Sequence, residues 1–146
     1  MTTKCFTESQ QLMPVVMKIT QSRINHYADA SGDFNPIHLD EKFASKSRFG
    51  RRIAHGMLIA AMISELMAKN FSDSWALSGK LKIRFRAPVY TDDTVTARGY
   101  VKNIENVNAQ QIKIACVVEA VKESAGSTDE FGDTAITGQA TVIVNL

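Results

Sequence analysis

The sequence predicts an α+β domain in which a bent antiparallel sheet of about five strands surrounds one long apolar helix. Three observations carry that expectation. The stretch "IAHGMLIAAMISELMA" (53–68) is apolar around most of its helical circumference, so it has to be covered on several sides. From Leu77 onward the apolar period drops to two, and several strand-like runs follow one another to the end of the chain. The 146 residues, 45% of them apolar, suit a single domain (1–146) with a real core.

The elements can be justified in order. "QLMPVVMKI" reads as a strand that Pro14 confines to a sheet edge or a bulge. "TQSRINHYADASG" opens on a capping Thr20, carries Ile24, Tyr27 and Ala28 at helical spacing, and stops at Gly32. Pro36 biases Asn35 away from the α region, so residues 33–38 are expected to form an ordered non-helical loop. Asp40 can cap a short helix, "EKFASKS", and a basic loop, "RFGRR", leads to the long helix from Gly56 to Lys69. In "KLKIRFRAPV", Leu81, Ile83, Phe85 and Ala87 alternate with Lys80, Lys82, Arg84 and Arg86, as in a half-buried strand with a basic outer face. "TVTARGYVKNIE", "QIKIACVVEAV" and "TAITGQATVIV" supply further strands. The polar segment "ESAGSTDEFGD" between the last two is expected to be a hairpin loop.

The formal charge of +2 gives no general argument for a nucleic-acid or membrane partner. The apolar stretch is shorter than the roughly 20 residues that span a bilayer, and "MTTKCFTESQQ" lacks the apolar run of a secretory signal. Cys5 and Cys116 show no paired spacing, so a reducing, cytoplasmic setting is expected.

The chemistry is concentrated in "SGDFNPIHLD" (31–40), where Asp33, Asn35, Pro36 and His38 fall close together. A carboxylate and a neutral imidazole on one compact loop can hold a water between them and move its protons. The plainer alternative is a turn, since Asp and Asn often bond only their own backbone. "AHGM" then places a histidine and a glycine at the start of the long helix. First-turn amides lack internal partners and carry partial positive charge, which suits an oxyanion hole for an enolate developing from a thioester. Alternatively, Gly56 is only a permissive helix start. The three histidines, His26, His38 and His55, lack the spacing of a zinc site, so no metal is expected; His26 reads as a surface helix residue, and His55 as a structural residue or one that orients the Gly56 turn.

These residues resemble a known signature. "YADASGDFNPIHLDEKFAS" (27–45) is similar to the motif of the (R)-specific enoyl-CoA hydratases, the hydratase 2 or MaoC-like dehydratase family. Tyr27, Ser31, Gly32, Asp33, Asn35, Pro36, Ile37, His38 and Ala44 all fall in place. "RRIAHGMLIAAMISELM" and "RFRAPVYTDDTVTARG" resemble two further blocks of that family, and the likeness covers residues 20–100 best. It implies a hot-dog fold, a sheet wrapped round one helix, and a homodimer or dimer of dimers made by joining sheets. The implied reaction is reversible syn addition of water to a trans-2-enoyl-CoA, giving the (R)-3-hydroxyacyl-CoA, with no cofactor beyond the coenzyme A of the substrate.

Carried over by position, Asp33 and His38 would bind the catalytic water, one taking its proton and the other protonating C2. The Gly56 amide would hold the thioester oxygen, and Asn35 would support the loop or touch the ligand. Ser64 falls where relatives place a serine near the site, although a bond within the helix would explain it equally. Met57, Met62, Met67 and Leu58 read as core residues, and some of them, Met57 among the candidates, would also line the acyl tunnel. Among the basic residues, Arg84 and Arg86 are candidates for coenzyme A phosphates, against the alternative of a solvated strand face. The rival functions are a hot-dog thioesterase and a non-catalytic acyl-CoA-binding module. Thioesterases of this fold do not usually carry the paired Asp33 and His38 frame, and a silent module would be expected to have lost one of the pair. The compact chain favours short or medium acyl groups.

Overall fold

The computed structural model describes residues 5–124 and 130–146, so part of the expected hairpin loop lies outside the described residues. In chain order the elements are β1 (Val15–Lys18), α1 (Gln21–Ser31), α2 (Pro36–Leu39), α3 (Glu41–Ser45), α4 (Gly56–Phe71), α5 (Asp73–Ser78), β2 (Lys80–Phe85), β3 (Thr94–Asn108), β4 (Gln111–Glu123) and β5 (Thr134–Asn145). The strands form one five-stranded sheet in the order β1-β3-β4-β5-β2, and every neighbouring pair is antiparallel. Its long central pair, β3 and β4, runs from Thr94 opposite Glu123 to Asn108 opposite Gln111. Register shifts between Val101 and Asn103 and between Asn106 and Asn108 interrupt the ladder, and such bulges sharpen a strand's bend and twist.

The sheet closes on α4, which packs against β1, β3, β4 and β5. Ile59, Ile63, Leu66 and Met67 of the helix are buried against Val95, Val101, Ile114, Val118 and Val142 of the sheet, which together make the core. Truncating Leu66 to alanine there would cost roughly 2–5 kcal/mol. Asn70, near the end of α4, accepts from the Met13 amide at 2.9 Å and donates to the Met13 carbonyl at 3.1 Å, tying the lead into β1 to the helix.

Four expectations need correction. Residues 33–38 are ordered but not wholly non-helical, because Pro36–Leu39 forms one helical turn. Asn35 is extended, as the proline demands, yet its side chain caps the turn and Pro36 supplies the preset φ of a first helical residue. Leu77 and Ser78 lie in α5, not in a strand; Ser72, at φ 51°, breaks the long helix and lets a second one start. β2 does not bury Leu81 and Phe85, which are 36% and 56% exposed. It is an edge strand paired only with β5, and of its alternating residues Ile83 packs on the core while Leu81 and Phe85 stay largely open. Nor is α4 covered all round: Met57, Ala61, Glu65 and Ala68 line an exposed stripe.

Candidate active site

The site is assembled where the α1–α2 connection meets the start of α4. Gly32 ends α1 in the left-handed region, at φ 75°, with its amide donating to Ala28 at 2.8 Å. The chain then reverses through Asp33, whose Oδ1 accepts from the Asn35 amide at 3.2 Å. The Asn35 Oδ1 accepts in turn from the Ile37 amide at 3.1 Å. Asn35 therefore supports the loop by capping α2. This places the imidazole of His38, which is 8% exposed, beneath a carboxylate whose side chain is 53% exposed.

His38 Nε2 stands 4.0 Å from Asp33 Oδ2. That is beyond a direct hydrogen bond and within the span of one bridging water, which makes bonds of about 2.8 Å on each side. The other ring nitrogen, Nδ1, lies 2.7 Å from the carbonyl oxygen of Ile53. A carbonyl only accepts, so Nδ1 carries the proton and Nε2 presents its lone pair toward Asp33. Burial lowers the His38 pKa from 6.5; the Ile53 carbonyl opposes that effect, the neighbouring His55 adds to it, and Asp33 opposes it. Gln21 steadies the same turn by donating to the His38 carbonyl at 2.8 Å.

A cavity of about 300 Å3 opens beside this pair. His38, Gly56 and Arg86 line it, with an apolar wall that includes Ile59, Val89, Ala135 and Ile136. Gly56 is the first residue of α4, so its N–H is among the first-turn donors that have no intrahelical acceptor. A Cβ at Gly56 would fall 2.9 Å from Phe85 Cε1, so only glycine leaves this approach open without moving the ring.

The structure thus brings His38, Gly56 and Arg86 to one cavity, with Asp33 beside His38 and Asn35 holding the loop between them. Met57 is 60% exposed on the outer stripe of α4 and does not line the cavity. Ser64 lies eight residues beyond Gly56, about 12 Å along the helix, and its Oγ accepts from the Trp75 indole N–H at 3.0 Å, anchoring α5 to α4. Arg84 faces an adjoining groove shared with Lys82, Arg86 and Gln139. Of the basic loop, Arg48 lines the cavity, while Arg51 stacks on Tyr90 at 3.9 Å and Arg52 Nε lies 2.8 Å from Glu41 Oε2.

From the sequence the Ile53 carbonyl has no site role, and His55 reads as structural or as orienting the Gly56 turn; in the structure it stacks on His38 with ring centroids 3.8 Å apart. The "AHGM" motif was the available signal for His55. Among the described residues, Asp33, His38 and His55 bring potential ligand atoms within 4.8 Å of one another, a proximity that sequence spacing hid. Each ring directs one nitrogen to a backbone carbonyl, of Ile53 and of Asp33 respectively.

Comparison with known proteins places the chain in a family. Residues 6–124 match the MaoC-like domain family. The chain is 39% identical over 71 residues to the (R)-specific enoyl-CoA hydratase of Aeromonas caviae, a match covering 49% of this chain and 53% of that protein. It therefore spans about half the length of that relative. It is 31% identical over 121 residues to 3-hydroxyacyl-thioester dehydratase Z of Mycobacterium tuberculosis, covering 70% of this chain and 80% of the other. The solved structure of an A. caviae (R)-hydratase involved in PHA biosynthesis superposes with a TM-score of 0.75 at 25% identity, covering 96% of this chain and 98% of that one. With its sheet wrapped on α4 and its motif intact, the chain belongs to the MaoC-like family.

Proposed function

We propose that the chain catalyses the reversible hydration of a trans-2-enoyl-CoA to the (R)-3-hydroxyacyl-CoA. The observation that carries this reading is the His38 Nε2 lone pair facing the Asp33 carboxylate at 4.0 Å, beside a cavity whose wall also holds the first-turn amide of α4. In the hydration direction, water held by the pair gives a proton to His38 Nε2 while its oxygen bonds to C3. The electrons of the C2–C3 double bond move toward the thioester, and the Gly56 N–H meets the charge that develops on its oxygen. The pair then returns a proton to C2 from the face that water attacked, so addition is syn. Asp33 orients the water and stabilises the imidazolium. The named activities of the relatives support the substrate class and the (R) configuration.

The thioester itself activates C3, so the reaction proceeds without a metal or other cofactor, and a chelator leaves the rate unchanged. Arg48 and Arg86 at the cavity suit the phosphates of coenzyme A, and the cavity volume suits a short or medium acyl group. A second copy completes the sheet: β2 presents an unpaired edge with exposed Leu81 and Phe85, next to Leu77 at 85% exposure. The free Cys5 and Cys116 support a reducing, cytoplasmic setting, and among the described residues no helix is long and apolar enough to cross a membrane.

The test is incubation with crotonyl-CoA, following enoyl absorbance and free thiol together. Loss of absorbance without thiol supports hydration. Thiol release supports the thioesterase alternative. Tight binding with no turnover of crotonyl-CoA or its longer homologues supports a non-catalytic module.

A further inference from the structure

His55 has no place in the proton transfers just described, yet it touches every part of them. Its Nε2 lies 2.9 Å from the backbone carbonyl of Asp33, 22 residues earlier in the chain. That carbonyl can only accept, so Nε2 carries the proton and donates it. The flat of the ring rests on His38, 3.8 Å between centroids and 28° between planes, while Tyr27 of α1 closes the other contact at 4.8 Å and 53°. The next residue in the chain is Gly56, and His55 is itself the cap position of α4. The Ala54 amide donates to the Val89 carbonyl at 2.7 Å, which fixes this short stretch to the cavity wall.

We infer that His55 is a positioning residue that holds the Asp33 loop, the His38 ring and the Gly56 amide in one register. The role differs from catalysis, because the His55 Nε2–H is committed to the Asp33 backbone carbonyl and the flat of the ring to His38. It also differs from packing. His55 is 2% exposed, and its buried Nδ1 has no hydrogen-bond partner among the described residues. A ring kept only to fill space would be better as phenylalanine, which buries no unpaired nitrogen. What histidine offers in return is the Nε2–H that pins the Asp33 carbonyl. A geometric tolerance below an ångström governs proton transfer, and a three-way register through one side chain is how this fold meets it.

The inference rests on the hydratase reading for its kinetic arm only. His55→Phe keeps the stacked ring and loses the donor, whereas His55→Gln keeps an N–H for the Asp33 carbonyl. Full-length wild type and both variants would be compared by crotonyl-CoA kinetics, thermal melting, and NMR relaxation of the Phe34 and Asn35 amides. His55→Phe is expected to melt no lower than wild type and to lose about 10- to 100-fold in kcat, with KM within about twofold. His55→Gln is expected to recover at least about threefold of that loss. The Phe34 and Asn35 amides become mobile in His55→Phe and stay ordered in His55→Gln. If kcat in a folded His55→Phe stays within about twofold of wild type, or if KM alone changes, the inference is overturned. If even the wild type leaves crotonyl-CoA untouched, the proposed activity fails and the amides decide: mobility confined to His55→Phe supports the register role, and unchanged order refutes it.

Discussion

The imidazole Nδ1 of His38 and the carbonyl oxygen of Ile53 lie 2.7 Å apart. This contact, between an α2 residue and the strand-like lead into α4, determines which nitrogen of the ring is free for chemistry. It leaves the Nε2 lone pair toward Asp33, which in the proposed reaction makes His38 the proton acceptor and Asp33 the orienting group. A backbone acceptor cannot be lost by side-chain substitution, so the tautomer is built into the fold.

The pH dependence follows from that ring. Burial is the largest influence on His38 and lowers its pKa from 6.5. The free base is the competent form, so kcat/KM stays flat above neutrality and falls only as pH drops through a value below 6.5. A pH–rate profile checks this; an acid limb centred above 6.5 would contradict it. Stability has the same sign. The unfolded chain binds this proton more tightly, so the contribution of His38 is whole above 6.5 and is lost as pH falls toward the folded value. Over that window the melting temperature of wild type should fall more steeply than that of His38→Gln.

Gly56→Ala separates access from folding. The new methyl meets Phe85 Cε1 at 2.9 Å, but Phe85 is half exposed and can swing aside. Melting should therefore change by only a few degrees, as for an effect of about 1 kcal/mol, while kcat/KM falls at least about 10-fold because the methyl crowds the oxyanion amide. Adding Phe85→Ala should restore stability without restoring the rate.

Ser64 gives the opposite pattern. Its Oγ accepts from Trp75 Nε1 at 3.0 Å, so Ser64→Ala strands a partly buried N–H and should cost about 1 kcal/mol. Activity should stay within about threefold of wild type. A loss above about 10-fold in a folded protein would return Ser64 to the site.

The two arginines offered by the sequence should also part company. Arg86 lines the cavity and donates from Nε to Thr137 Oγ1 at 3.0 Å, whereas Arg84 faces only the adjoining groove. Arg86→Ala should raise KM for crotonyl-CoA by about fivefold, the equivalent of roughly 1 kcal/mol, with kcat little changed. Arg84→Ala should do less. Equal effects would place the nucleotide over β2 as a whole.

What the sequence revealed was whatever is encoded locally. The Asp33 to Asn35 and Asn35 to Ile37 bonds of the loop lie within two residues of sequence, so the motif carried the turn, but not the Ile53 and His55 contacts that hold the His38 ring. Gly32, Asp40 and the start of α4 at Gly56 were readable for the same reason, since caps are local chemistry. The His55 to Asp33 bond spans 22 residues and no periodicity reports it. The partner of Ser64 was hidden because Trp75 belongs to α5, a helix made possible by the positive φ of Ser72. Alternation in β2 correctly gave a strand. It could not say that Phe85 and Leu81 would stand uncovered, because a pattern of apolar residues does not reveal whether the same chain or another one covers them.

The most direct test of the acid/base assignment is hydration of crotonyl-CoA by wild type, Asp33→Asn and His38→Gln in parallel, with chiral analysis of the 3-hydroxy product and a melting curve for each protein. The expected result is an (R) product from wild type and at least about a 100-fold loss in kcat for each folded variant. Either variant retaining near-wild-type turnover, or a wild-type product of (S) or mixed configuration, would contradict it.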